Sequence, residues 1–208
     1  MKRSRATLAI LALTLLATSC GTTSTLTQRW SDESYQGSPG QKMMVIALTP
    51  AERNMLIWEG AFSSALSKSG VDPVAGSKVF PFGQKIEEGA LKEGIRESGA
   101  NLVAVTRVLA VDKEQEYVPG TSYYTPAPGY YGMYGYYHSS YAFVSSPGYI
   151  QENTIVKLET NVYDVGTEKL VWSGVSETLN PETAQDVANS VALMLVDDMM
   201  KSKIIRKG

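Results

Sequence analysis

Residues 1–20, MKRSRATLAILALTLLATSC, set the terms for the rest of the chain. Lys2, Arg3 and Arg5 make a short basic start, and Ala6 to Ala17 is an apolar run broken only by Thr7 and Thr14. That run is too short for a hydrocarbon core of about 30 Å, which takes about 20 helical residues. Basic residues, a short apolar core and then the small residues Ala17, Thr18 and Ser19 are the order of a secretory signal peptide, so residues 1–19 are expected to be removed. The leader ends at Cys20, the only cysteine. A chain with one thiol cannot close an internal disulfide or build a thiolate metal site. Its fold has to be held by its core alone.

Cys20, preceded by small residues and followed by Gly21, resembles the lipobox of bacterial lipoproteins. There the thiol receives a diacylglycerol, and cleavage makes the cysteine residue one. Ala17 stands where leucine is usual, three before the cysteine, with Leu16 one further back. The resemblance implies lipidation at Cys20 and a mature chain anchored to a membrane without spanning it. Two or three acyl chains give stable anchoring, whereas one gives marginal binding at about 0.8 kcal/mol per buried CH₂. Gly21 in place of Asp resembles the outer-membrane default of Gram-negative sorting, which implies a periplasm-facing protein on the outer membrane. In an organism with one membrane, the anchor would sit in the cell membrane. The other reading of these residues is an ordinary leader cut near Ala17 or Ser19, leaving Cys20 as a free thiol.

Losing Lys2, Arg3 and Arg5 lowers the basic count from 19 to 16 against 21 acids, a mature net charge of −5. No basic cluster is present to neutralise phosphates, which argues against nucleic acid as a partner. The 189 residues from Cys20 onward are enough for one domain with a sizeable core.

Residues 20–41 then read as the lipidated cysteine and a flexible tether, rich in Thr, Ser, Gly and Gln. Trp30, Asp32, Tyr35 and Gly37 imply that its second half packs on the domain. The domain is expected over 42–205. Lys42–Leu48 (KMMVIAL) is a continuous apolar run, the pattern of a strand buried on both faces. Residues 52–69 put Met55, Trp58, Phe62, Ala65 and Leu66 on one helical face. Val71–Ser77 is a weak strand, confined by Pro73 to a sheet edge. Residues 84–98 form a second helix closed by Gly99, and Asn101–Val111 is another apolar strand. Ile155–Asp164 alternates cleanly and turns into Lys169–Thr178 as a hairpin. Asn180 as N-cap and Pro181 as first residue open a last helix running to about Lys201. Right-handed crossovers make the first three strands parallel. The expectation is a single α/β domain: a five-stranded mixed sheet in the order 2-1-3-4-5, covered by three helices.

That succession, with the lipobox, resembles a family of uncharacterised bacterial lipoproteins known only as a domain of unknown function. The residues that carry it are Trp30-Ser-Asp with Tyr35 and Gly37, Trp58-Glu59, Gly99 to Thr106, Glu159 to Asp164, and Leu170 to Gly174. The topology also resembles the amino-terminal domain of TolB and the lipoprotein activators of penicillin-binding proteins. That likeness concerns the fold, which does not by itself carry a function.

Residues 116–150 read as a long loop insertion rich in Tyr, Gly and Pro, holding ten of the twelve tyrosines and the only histidine, His138. Loops of this length in a compact domain are functional or disordered. Tyrosine offers a large rigid surface with a polar tip. Tyr130, Tyr131, Tyr134, Tyr136 and Tyr137 are therefore the candidate contact residues for a partner protein, a glycan strand or a lipid interface. The alternative is a low-complexity mobile insertion.

No catalytic constellation stands out. His138 has no partner motif, and no G-x-S-x-G occurs. The glycines at 129, 132 and 135 do not follow a strand into a helix, so they say nothing of nucleotides. Glu87-Glu88 and Asp197-Asp198 are neighbours on helices, pointing about 100° apart, and read as solvated faces. Trp58 and Trp172 read as core. No catalytic residue, metal ligand or cofactor is expected. The reading is a non-enzymatic, lipid-anchored cell-envelope protein serving as an interaction or assembly module with an envelope protein partner. A periplasmic ligand- or glycan-binding lipoprotein and a cell-wall hydrolase are the alternatives.

Overall fold

A computed structural model of the chain describes residues 22–37, 40–118, 134 and 148–206. Among these residues six strands and three α-helices follow one another: β1 (Ser24–Ser31), β2 (Lys42–Leu48), α1 (Glu52–Lys68), β3 (Asp72–Ala75), α2 (Glu88–Ser98), β4 (Leu102–Val118), β5 (Tyr149–Asp164), β6 (Leu170–Leu179) and α3 (Ala184–Lys201). They build one mixed sheet in the order β1-β6-β5-β4-β2-β3. β2 runs parallel to β3 and β4, and the remaining pairs are antiparallel.

The sheet thus has six strands in this order, not five in the order 2-1-3-4-5. The addition is β1, which lies inside the stretch read as a tether and pairs with β6 from Ser24–Thr178 to Ser31–Trp172. Its residues, STLTQRWS, show no apolar periodicity, because an edge strand takes its stability from ladder hydrogen bonds that composition does not report. Leu26 packs on the core, and the Ser24 and Thr178 hydroxyls lie 2.7 Å apart. Trp30 stays half exposed (49%), against the expectation that it packs inward. Tyr35 does pack against the core, and Gly37 N–H donates to Lys203 O at 3.2 Å.

Helices cover the sheet unequally. On one face α1 and α3 lie together, burying Trp58, Phe62, Leu66, Val191, Leu195 and Met199 over Met43, Val45, Leu158 and Trp172. α2 covers the other face more thinly, over a smaller cluster of Met44, Ala100 and Val103 flanked by Ile95 and Phe80. Gly99 closes α2 in the left-handed region at φ 71, where a glycine is least strained. The last helix starts at Thr183, not at Asn180 and Pro181. The Thr183 side chain accepts from Asp186 N–H at 3.2 Å and donates to Asp186 Oδ2 at 2.6 Å, a reciprocal cap. Asn180 instead holds the β5–β6 pair: its Oδ1 accepts from Thr154 N–H at 2.7 Å, and its own N–H donates to Thr154 O at 2.8 Å.

The C-terminal tail is locked to the start of β2. Gln41, 2% exposed, donates through Nε2 to Ile204 O at 2.7 Å and accepts Arg206 N–H at 2.9 Å. Ile204 and Ile205 are buried beside it.

Candidate functional site

Two features stand out on this frame. The first is a β-ribbon. β4 and β5 are 17 and 16 residues long, well beyond the sheet's other strands, and they stay paired out to Val118–Tyr149. The stretch read as loop 116–150 therefore begins later and ends earlier: Glu116–Val118 and Tyr149–Ile150 belong to strands. Beyond the Val111–Val156 pair no helix among the described residues covers the two strands, and most side chains are exposed.

Polar contacts brace this bare section. Lys113 Nζ lies 2.8 Å from Glu152 Oε1 across the pair, and Lys157 Nζ lies 3.0 Å from Asp112 Oδ2. The hydrogen bond and charge of Lys113 hold the Glu152 carboxyl below its ordinary range, and Glu152 in turn raises Lys113. Asp112 raises Lys157 in the same way, first by hydrogen bonding and then by charge. Past this polar band the ribbon's described end changes character. Its last two pairs are Tyr117–Ile150 and Val118–Tyr149, with Tyr117 and Ile150 each 65% exposed and Tyr149 60%.

The second feature is a cleft of about 320 Å³ where β2 ends. Its floor is Thr106, Val156 and Leu158; Ile57 and Trp58 of α1 and Val187 of α3 form the walls. This is the carboxyl end of a parallel strand, where open α/β sheets commonly take ligands. Trp58 is 6% exposed and packs against Phe62 with centroids 5.7 Å apart and the rings tilted by 37°, as a core residue does. Its indole Nε1, though, has no hydrogen-bond partner among the described residues. A buried donor left that way is costly.

Beside the cleft sits Glu59, 1% exposed. Its carboxylate accepts Ala47 N–H at 3.3 Å and Ser77 N–H at 2.9 Å, tying the end of β2 to the turn after β3. Gly76 permits this: a Cβ there would stand 2.8 Å from Val45 O and 3.1 Å from Glu59 Oε1. Both bonds are structural. Asp198 is likewise not the solvated residue its neighbour Asp197 made it resemble. It accepts the Trp172 indole N–H at 3.0 Å and pairs with Arg29 at 3.2 Å, joining α3, β6 and β1.

Of the candidate contact residues, Tyr134 is 79% exposed. Cys20, Tyr130, Tyr131, Tyr136, Tyr137 and His138 lie outside the described residues. Among the described residues no group of three or more His, Cys, Asp or Glu is placed to hold a metal ion, and no helix is long and apolar enough to cross a membrane. The ribbon and the cleft were both missed by the sequence. The charged stretch Asp112–Glu116 carried the one usable signal for the ribbon, since Asp112, Glu114 and Glu116 alternate with Lys113 and Gln115.

No protein-family model and no curated protein matches the chain. Among solved structures it is similar to a PelC dodecamer from Paraburkholderia phytofirmans, at 16% identity and a TM-score of 0.43, over 86% of this chain and 97% of that one. It is similar to lipoprotein GNA1162 from Neisseria meningitidis at 12% identity and a TM-score of 0.39, over 78% and 99% of the two chains. A third is a putative neuraminyllactose-binding hemagglutinin homolog from Helicobacter pylori, at 11% identity and a TM-score of 0.33, over 81% and 90%.

Proposed function

We propose that the chain is a lipid-anchored cell-envelope protein whose α/β domain serves as a non-enzymatic interaction or assembly module. The ribbon is the observation that carries this reading. A two-stranded hairpin is marginal by itself in water, so a pair of strands kept together beyond the last covering helix, with aromatic and aliphatic side chains exposed at its end, is built to present that end. The segment it presents, residues 119–148, holds most of the chain's tyrosines. Tyrosine-rich surfaces favour contact because they bury much area at little rotamer cost.

Anchoring rests on Cys20. Replacing Cys20 by Ala should abolish palmitate labelling and release the chain from membranes, and density-gradient fractionation of the envelope reads out which membrane holds it. For the interaction role, the lipidated chain would be used as bait in solubilised envelopes beside a variant lacking residues 119–147. A protein recovered with the first bait and lost with the second supports the module. Recovery of the same proteins with both baits defeats it.

The cleft favours a second reading, ligand binding. An apolar-lined cleft of this size at the end of β2, with Trp58 in its wall, is the form of a small-molecule site. Its occupant would be a small, largely apolar molecule. Titration of the protein with an acyl chain or aromatic probe would perturb Trp58 fluorescence if the cleft is a site. An unchanged spectrum at saturating probe would remove this reading.

A further inference from the structure

We infer that the β4–β5 ribbon is a membrane-contacting arm, whose last two pairs, Tyr117–Ile150 and Val118–Tyr149, enter the interfacial layer of the leaflet that holds the Cys20 lipid. This rests on the lipid-anchor reading above and adds an orientation and a contact surface to it.

The first support is register. Ser24 at the start of β1 pairs with Thr178, Thr178 with Val156, and Val156 with Val111. The anchored end of the chain and the base of the ribbon therefore lie at the same end of the sheet. At the other end, Ser31 is level with Trp172, Val162 and Ala104. From Val111 the ribbon points away from that far end.

Reach supplies the second support. Only residues 21–23 separate Cys20 from Ser24. Four residue steps at full extension span at most about 14 Å. The seven steps from Val111 to Val118 advance the ribbon by about 23 Å at strand rise. Standing upright, the domain would thus carry the ribbon's end roughly 10 Å past the lipidated residue. Leaning over, it lays the ribbon on the surface. The inverted pose is closed, because β1 alone is about 23 Å long from Ser24 to Ser31 and the leash is shorter than that.

The chemistry along the ribbon fits that placement. Charged and amide side chains (Asp112 to Glu116, and Gln151 to Asn153) fill its middle, at the depth of water and headgroups. They stop where Tyr117, Val118, Tyr149 and Ile150 begin. Tyrosine, with an apolar ring and a polar tip, is enriched at membrane–water interfaces. With a net charge near −5, the mature chain gains nothing from anionic headgroups, so the attraction here is burial of ring and aliphatic surface.

The test uses the full mature chain, lipidated and reconstituted into phosphatidylcholine–phosphatidylglycerol vesicles. Ile150→Cys and, as a control near the far end of the sheet, Glu97→Cys each take one spin label, since a lipidated Cys20 has no thiol to react. At position 150 the label should collide more often with oxygen, which partitions into lipid, than with a water-soluble nickel chelate. At position 97 the order should be reversed. Flotation with the vesicles and the mass of the Cys20 peptide report the anchor separately. A floating, lipidated chain with a water-exposed label at 150 overturns the arm and leaves the anchor standing, as does a label shielded from oxygen and nickel alike by a second copy. An unmodified Cys20 on a chain that does not float overturns the anchor, and the arm with it.

Discussion

The two ends of β4 and β5 are one pair of strands in two environments. From Leu102 to Thr106, β4 reads LVAVT, and four of these residues are at most 6% exposed. Helices press on both faces there, so nearly every position can be apolar. From Asp112 to Glu116 it reads DKEQE, with no helix among the described residues on either side. The ladder is continuous through both, interrupted by one register shift between Val108 and Ala110. The backbone pairing is the same, so what holds each half is what its side chains meet. The covered half stands on burial, and the bare half stands on cross-strand ion pairs and whatever its end touches.

The comparison breaks hardest if the covered half is emptied. Trp172 is fully buried in the larger core, and its indole N–H reaches Asp198. Trp172→Ala should cost about 3–5 kcal/mol, the usual range for removing a large buried aromatic. Urea unfolding followed by circular dichroism would show it as a large drop in midpoint. A loss within error would mean that the sheet's helical cover does not carry the fold.

Next in size is Glu59→Ala. It leaves the Ala47 and Ser77 amides without their acceptor in a buried place, and an unsatisfied buried group costs about 1–3 kcal/mol. Glu59→Gln keeps one acceptor oxygen and should fall between wild type and Ala in the same unfolding assay. If Gln were the worse of the two, the carboxylate would be there for something besides those two amides.

The covered half is also the part that the sequence announced. KMMVIAL of β2 has the pattern of a strand buried on both faces, which Met43 to Val45 meet, and the stripe Met55, Trp58, Phe62, Ala65, Leu66 of α1 is where its period puts it. Burial leaves a mark in composition, and Gly99 leaves one in backbone geometry. β1 left neither, being a polar edge strand recognised by β6 rather than by its own residues. The ribbon hid for a related reason: a bare antiparallel pair has no buried face to generate alternation of apolar and polar residues. Thr183-x-x-Asp186 was a readable cap that the stronger Asn180-Pro181 signal masked. The partnerless Trp58 indole and the Asp198–Trp172 bond exist only once distant segments meet, and no local pattern encodes them.

Removing the bare half should do far less to stability. Replacing residues 113–154 with an Asn-Gly turn, which suits a two-residue hairpin closed by the Asp112–Ile155 pair, takes away almost no core. The change in the unfolding midpoint should correspond to under about 1 kcal/mol, the scale of surface changes. The same variant should lose vesicle contact at the ribbon end while keeping the Cys20 anchor. A collapse of the fold would show that the ribbon props up the sheet it extends from.

The smallest effect is confined to the ribbon, and its sign follows from the ion pairs. Glu152 has its carboxyl held below the ordinary range by Lys113, so this contribution is present above the unfolded carboxyl pKa and is lost as pH falls through the folded value. Lys113 and Lys157 are raised by Glu152 and Asp112, so theirs is present below the unfolded lysine pKa and is lost as pH rises through the folded one. Amide protection at the Glu114–Asn153 pair should therefore be flat through neutral pH and weaken in acid and in strong base, after correction for intrinsic exchange. Lys113→Ala should return Glu152 toward an ordinary carboxyl titration and flatten the acid limb of the ribbon. Protection at Val103 and Ala104, beneath the helices, should not change. Equal loss at both places would erase the distinction between the two halves, since it would make the ribbon's ion pairs a property of the whole sheet.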